Sequence, residues 1–152
     1  MSEEKQVSET PYSSMPPMPQ QPVGVPPGIE LATWGTRFLG GLVDYVAPAI
    51  IFNALVGFNS NSWVPTYLQF AWWIVLGVMV GTSGQTPGKR LDRVKVLRER
   101  DGQVVGVGIG ILRQFAHIID SLACLLGWLW PLWDRKRQTF ADKIVSTVAI
   151  KI

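Results

Sequence analysis

Between Asp44 and Lys89 the chain reads YVAPAIIFNALVGFNSNSWVPTYLQFAWWIVLGVMVGTSGQTPG, residues 45–88, with no Asp, Glu, Lys or Arg. A soluble domain of 152 residues could hardly cover itself with water-compatible surface if so long a run lacked charge. Charged residues are 16% of the chain and hydrophobic ones 47%, against a soluble norm of about 25% charged. The stretch therefore belongs in a bilayer. A helix needs about 20 apolar residues to cross the hydrocarbon core. Residues 38–58 and 63–81 each meet that need, joined by the short uncharged link Asn59-Ser60-Asn61-Ser62. They predict a transmembrane helical hairpin. Trp63 and Tyr67 stand where interfacial anchors belong at one end, and Trp34 at the other. Pro48 should kink the first helix, while Pro65 falls in the permitted first turn of the second.

Outward from the hairpin, the basic residues set an orientation. The link has none, whereas residues 82–106 carry Lys89, Arg90, Arg93, Lys95, Arg98 and Arg100. The positive-inside rule places that loop and the N-terminus in the cytoplasm. The net charge of +3 is thus a topology signal before it is a nucleic-acid signal, and no nucleic-acid partner is expected. Within the loop, 93–97 and 103–107 flank Asp101-Gly102, a strong turn signal, and predict a small cytoplasmic β-hairpin over about 92–107. The β-branched run 144–150 reads as a third strand that would steady it.

The third apolar segment, 108–133, poses a counting problem. One crossing would export the C-terminus, yet 134–152 carries Arg135, Lys136, Arg137, Lys143 and Lys151. Two crossings do not fit at 1.5 Å per residue. The reading taken is an amphipathic helix at about 108–122, broken near Gly127 and Pro131, that re-enters without crossing. A single spanning helix is the alternative. The expected fold is all-α and membrane-embedded, with the small hairpin attached. Residues 1–32 form a proline-rich cytoplasmic tail, with seven of the eleven prolines before residue 30, and 33–152 the membrane domain. The tail is either a solvated segment or a docking strip for a partner. It has no basic start followed by an apolar run, so it is not read as a signal peptide.

Ionisable residues inside apolar segments are the candidates for function. Arg37 and Asp44 are seven apart and share a helical face; Arg113, His117 and Asp120 share another. The two stripes are expected to meet, Arg113 near Asp44 and Asp120 near Arg37, either as a neutralised network that holds the helices or as an ion path. One histidine and one cysteine, Cys124, leave no metal cluster or disulfide, and no cofactor is expected. No catalytic constellation appears; only Ser121 stands four residues after His117. Thr86-Pro87-Gly88-Lys89-Arg90 lacks the spacing of a phosphate loop, so Gly81, Gly84 and Gly88 read as a turn out of the membrane.

These residues resemble the RDD family of bacterial membrane proteins, named for one arginine and two aspartates. The resemblance rests on Arg37-Phe38-Leu39 with Asp44, on Gly84-Gln85-Thr86-Pro87-Gly88-Lys89-Arg90-Leu91, and on Asp134-Arg135-Lys136-Arg137-Gln138-Thr139 followed by Asp142. Carried over, Arg37 matches the arginine, Asp44 the first aspartate and Asp142 the second, with Asp134 close by. The family usually continues Asp-Arg-Leu-Ala-Gly-Thr, where this chain has Asp142-Lys143-Ile144-Val145-Ser146-Thr147. The resemblance implies a helical membrane domain, and some members are linked to sodium–proton exchange. The expected function is non-enzymatic: an accessory or assembly subunit of a larger membrane complex, respiratory or secretory for example. The partners would be lipids, other membrane subunits or a second copy. An ion or proton transporter is the alternative, and a lipid-surface protein using the basic loop a third reading.

Overall fold

The computed structural model describes residues 22–56, 62–123 and 126–152. Most of the proline-rich tail, the link residues 59–61 and Cys124 lie outside them.

Helix α1 runs from Trp34 to Val56. Thr33 caps it from extended backbone, its hydroxyl accepting the Thr36 N–H at 3.3 Å. The expected kink at Pro48 takes the form of a widened turn, because Leu42–Val46 is π-helical. Pro48 has no N–H to give the Asp44 carbonyl one turn back. That carbonyl instead accepts Trp72 Nε1 from the next helix at 2.8 Å. Helix α2, Val64–Ser83, has Pro65 in its first turn and ends at Gly84, whose φ of 76° only glycine adopts freely. The two helices have 23 and 20 residues with mean hydropathy 1.7 and 1.4, long and apolar enough to cross a membrane. Leu39, Ile50, Ile51 and Leu55 stand exposed along α1, a surface that calls for hydrocarbon or another protein.

A short helix α3, Pro87–Leu91, follows, then strand β1, Val94–Arg98. Helix α4, Val107–Leu122, lies against α2. Small residues set that approach. A Cβ at Gly77 would lie 2.7 Å from Ile111 Cα, and one at Gly110 2.7 Å from the Gly81 nitrogen, the close backbone contact typical of membrane helix pairs. Helix α5, Leu126–Leu132, meets α4 at 107°. The third apolar segment is therefore two helices at a sharp angle, the shape of a broken span or a re-entrant unit, not one straight rod.

The sheet corrects the expected hairpin. β1 pairs antiparallel with β2, Thr147–Lys151, in the register Val94↔Lys151 to Arg98↔Thr147. Leu31 bridges to Ile150 on the other side of β2. The expected Asp101-Gly102 turn is present, with Arg98 N–H bonded to the Gln103 carbonyl at 2.8 Å. Pairing stops there for a physical reason. The Val96 N–H, which a hairpin partner would need, goes to the Gly84 carbonyl at 2.7 Å. Val105 buries against Val80 and Val96, and Gly106 N–H reaches the Gly81 carbonyl at 3.0 Å. Burial against the end of α2 draws 103–107 off the strand edge. Residues 22–32, expected as tail, are bound on the sheet: Val25 and Leu31 bury with Leu97, Val148 and Ile150, and Gly24 N–H donates to Glu99 at 2.8 Å. A last short helix α6, Phe140–Ile144, starts at a capping box made by Thr139 and Asp142.

Candidate functional site

The charged residues of the apolar segments gather where α1, α3, α4 and α6 meet, but not in the expected pairs. Asp44 is 1% exposed. One carboxylate oxygen accepts the Gly88 N–H at 2.8 Å and the other the Thr86 hydroxyl, with Lys89 Nζ 3.4 Å away. Asp44 thus serves the first turn of α3, where Thr86 is the N-cap and Pro87 the first residue. The chain needs glycine at 88 for this contact, since a Cβ there would overlap the Gly40 carbonyl.

Arg37 and Arg113 both turn to Asp142 instead. Arg113 gives its Nε at 2.8 Å and one Nη at 2.6 Å to the same Asp142 oxygen. Arg37 bonds the other oxygen and also donates to the Arg137 carbonyl at 2.6 Å. Thr147 Oγ1 and the Thr139 N–H complete the set, each at 3.1 Å. Five donating groups hold one buried carboxylate. Burial alone would raise the Asp142 pKa; the Arg113 and Arg37 charges outweigh it and hold the carboxyl well below the usual range. Asp120 meets neither arginine. It holds His117 Nδ1 at 2.6 Å and accepts the Ala141 N–H at 3.2 Å. The Ser121 hydroxyl donates to the His117 carbonyl, not to the ring. Asp134 accepts Lys143 Nζ at 2.5 Å and two backbone N–H groups, of Lys136 and Gln138, and so fixes the turn before α6. Arg90 is exposed.

The pairing differs from expectation because Asp142 arrives from the far end of the chain and takes both arginines, while Asp44 is taken by the first turn of α3. Sequence reasoning also passed over Tyr45, Gln114, Trp73 and Trp128. Tyr45 OH donates to Gln114 Oε1 at 2.8 Å, and Trp128 stacks on His117 at 4.6 Å. Their one sequence signal is a polar or indole group in an apolar segment, which must find a partner when buried.

These residues surround a cavity of about 570 Å³ between α1, α2, α4 and α5. Arg37, Lys89 and Arg113 line it, with aromatic walls that include Trp34, Phe38 and Trp128; among the described residues no carboxylate does. Burial, then repulsion from Arg113, lowers the Lys89 pKa to about 8 against the pull of Asp44.

The proline-rich antigen of Mycobacterium leprae is 31% identical over 150 residues, 78% of this chain and 60% of that protein. A proline-rich antigen homolog of Mycobacterium tuberculosis is 49% identical over 76 residues, 50% of this chain and 32% of that protein. The chain thus spans less than two thirds of the length of either relative. No solved structure matches it. The RDD family matches residues 31–146, so the chain is a membrane protein of the RDD family.

Proposed function

We propose that this protein is a non-enzymatic, multi-pass protein of the bacterial plasma membrane, with both termini cytoplasmic, acting as an accessory or assembly subunit of a larger membrane complex. One observation carries the reading. Arg37 from α1 and Arg113 from α4 close on a single carboxylate, Asp142, beside the C-terminal strand. The motif charges are spent on knotting the chain into one unit, which is what a scaffold requires. The basic residues of α3, β1 and the C-terminal segment favour the cytoplasmic side for this knot. Residues 22–32 tether the proline-rich segment to the same face, where it can reach a partner's cytoplasmic surface.

The buried His117–Asp120 pair, at 2.6 Å with His117 facing the cavity, favours a second reading, proton-coupled ion transport. One pair of measurements separates the two. Cross-linking in native membranes followed by purification should recover a membrane complex in fixed ratio under the first reading. Purified protein in proteoliposomes should then leave an imposed pH gradient undisturbed on adding sodium. Collapse of the gradient, abolished by Asp120→Asn, with no partner recovered, would reverse the preference.

A further inference from the structure

We propose that the cavity between α1, α2, α4 and α5 binds the phosphate-bearing headgroup of an anionic lipid, whose acyl chains leave over the apolar face of α1. The proposal goes beyond the accessory role and stands whether or not that role holds.

Charge comes first. Arg37, Lys89 and Arg113 face the cavity, while their carboxylate partners Asp44 and Asp142 are absent from its lining. The polar side of the space thus presents three cations, which share two carboxylates behind them. Unmet hydrogen bonds come second. Arg113 Nη1, Gln114 Nε2 and Trp73 Nε1 are buried donors without partners, and all three residues line the cavity. Arg113 is 1% exposed and Gln114 3%. A buried donor left unbonded is costly, more so on a charged group. Phosphate oxygens accept several such bonds at once, and guanidinium suits them by geometry. Gln69 Oε1, also in the lining, is a buried acceptor without a partner; a headgroup hydroxyl would supply its donor.

The apolar part of the wall selects a lipid over a free anion. Phe38 and Leu42 line the cavity and are also 49% and 39% exposed on α1, so it adjoins the surface that faces hydrocarbon. Arg37 stands in the first turns of α1 and Lys89 just beyond the end of α2. The cations thus sit at the end of the hairpin, at headgroup depth. Basic pockets between helices on the cytoplasmic side are a known form of anionic-lipid site.

The test uses the full chain in a non-ionic detergent. Native mass spectrometry measures lipid retained, and thermal unfolding measures protection, on adding phosphatidylglycerol, phosphatidylcholine or inorganic phosphate. Phosphatidylglycerol should be retained and should raise the unfolding temperature; the other two should do neither. Lys89→Gln should weaken its binding about fivefold. Trp73→Phe, which keeps the ring's apolar bulk but removes the N–H, should weaken it about twofold to tenfold. Arg113 variants are avoided because they break the Asp142 knot. Equal retention of phosphatidylcholine, or protection by inorganic phosphate alone, would overturn the lipid assignment. Unaltered phosphatidylglycerol binding in both variants would overturn the site.

Discussion

Asp44 accepts the backbone N–H of Gly88 at 2.8 Å, across 44 residues of sequence. This bond gives the Thr86-Pro87-Gly88-Lys89 run its physical meaning. Thr86 caps α3 and donates its hydroxyl to Asp44, and Pro87 fits the first helical position. Gly88 allows α1 and α3 to touch at Gly40, and Lys89 balances the charge. The run is an anchor for the first helix rather than a phosphate loop.

Asp44→Asn should therefore destabilise by about 1–3 kcal/mol, since its amide offers Thr86 a donor where an acceptor is needed. Gly88→Ala should cost more, because the added Cβ meets backbone at Gly40 and cannot be relieved by a rotamer change. Thermal unfolding in detergent ranks the two. A Gly88→Ala protein as stable as the parent would show that α1 and α3 do not pack this closely.

Asp142→Asn should be among the most damaging substitutions, leaving two buried arginines uncompensated. Breaking a buried pair from one side costs about 3–5 kcal/mol. Arg37→Gln should be milder, since Asp142 keeps Arg113. Adding Arg37→Gln to Asp142→Asn should restore part of the loss. The same carboxylate gives a pH dependence. Its folded pKa is depressed, so the unfolded chain binds protons first as pH falls. Its stabilising effect is full above the ordinary carboxylate range and declines as pH drops below it. Unfolding temperatures between neutral and acidic pH, for the parent and Asp142→Asn, measure that difference.

Local signals in the sequence were readable where local physics decides. Two apolar runs became two long helices, Pro65 lies in a first turn, and Asp101-Gly102 makes a tight turn with Gly102 at φ 66°. Long-range competition was not readable. The expected hairpin lost its second arm because Val105 found a better surface at Val80 and Val96. The Arg37 and Arg113 partners were misjudged for the same reason. Helical periodicity knows only its own turn, and Asp142 lies 105 and 29 residues away. The π turn is equally silent in a helical-wheel reading, although Pro48 marks the place.

Lys89 offers a second pH signature of opposite character. Its folded pKa of about 8 lies below the usual 10.5 of lysine. Between those values the unfolded chain holds the proton that the folded chain has released. Stability contributed by this group should rise as pH climbs from 8 to 10.5 and be flat below 8. In Lys89→Met that slope should vanish. Unfolding scans across this range, parent against variant, read it directly, and an unchanged slope would mean that Lys89 is solvated.

The last prediction separates the two parts of the N-terminal segment. Deleting residues 2–21 should leave the unfolding temperature unchanged, because their sequence, rich in Pro, Ser, Gln and Glu, offers little apolar surface to bury. Extending the deletion through residue 28 removes Val25, which is 4% exposed in the sheet core, and the Gly24 N–H bond to Glu99. Burial of a valine is worth about 1.5–3 kcal/mol, so the longer deletion should lower the unfolding temperature by several degrees. The shorter deletion also bears on the accessory role. If the proline-rich segment contacts a partner, loss of 2–21 should reduce recovery of the complex while the membrane domain stays folded. Full recovery with the short deletion would assign partner binding to the membrane helices, whose exposed faces at Ile50, Ile51 and Leu55 are then the next surface to alter.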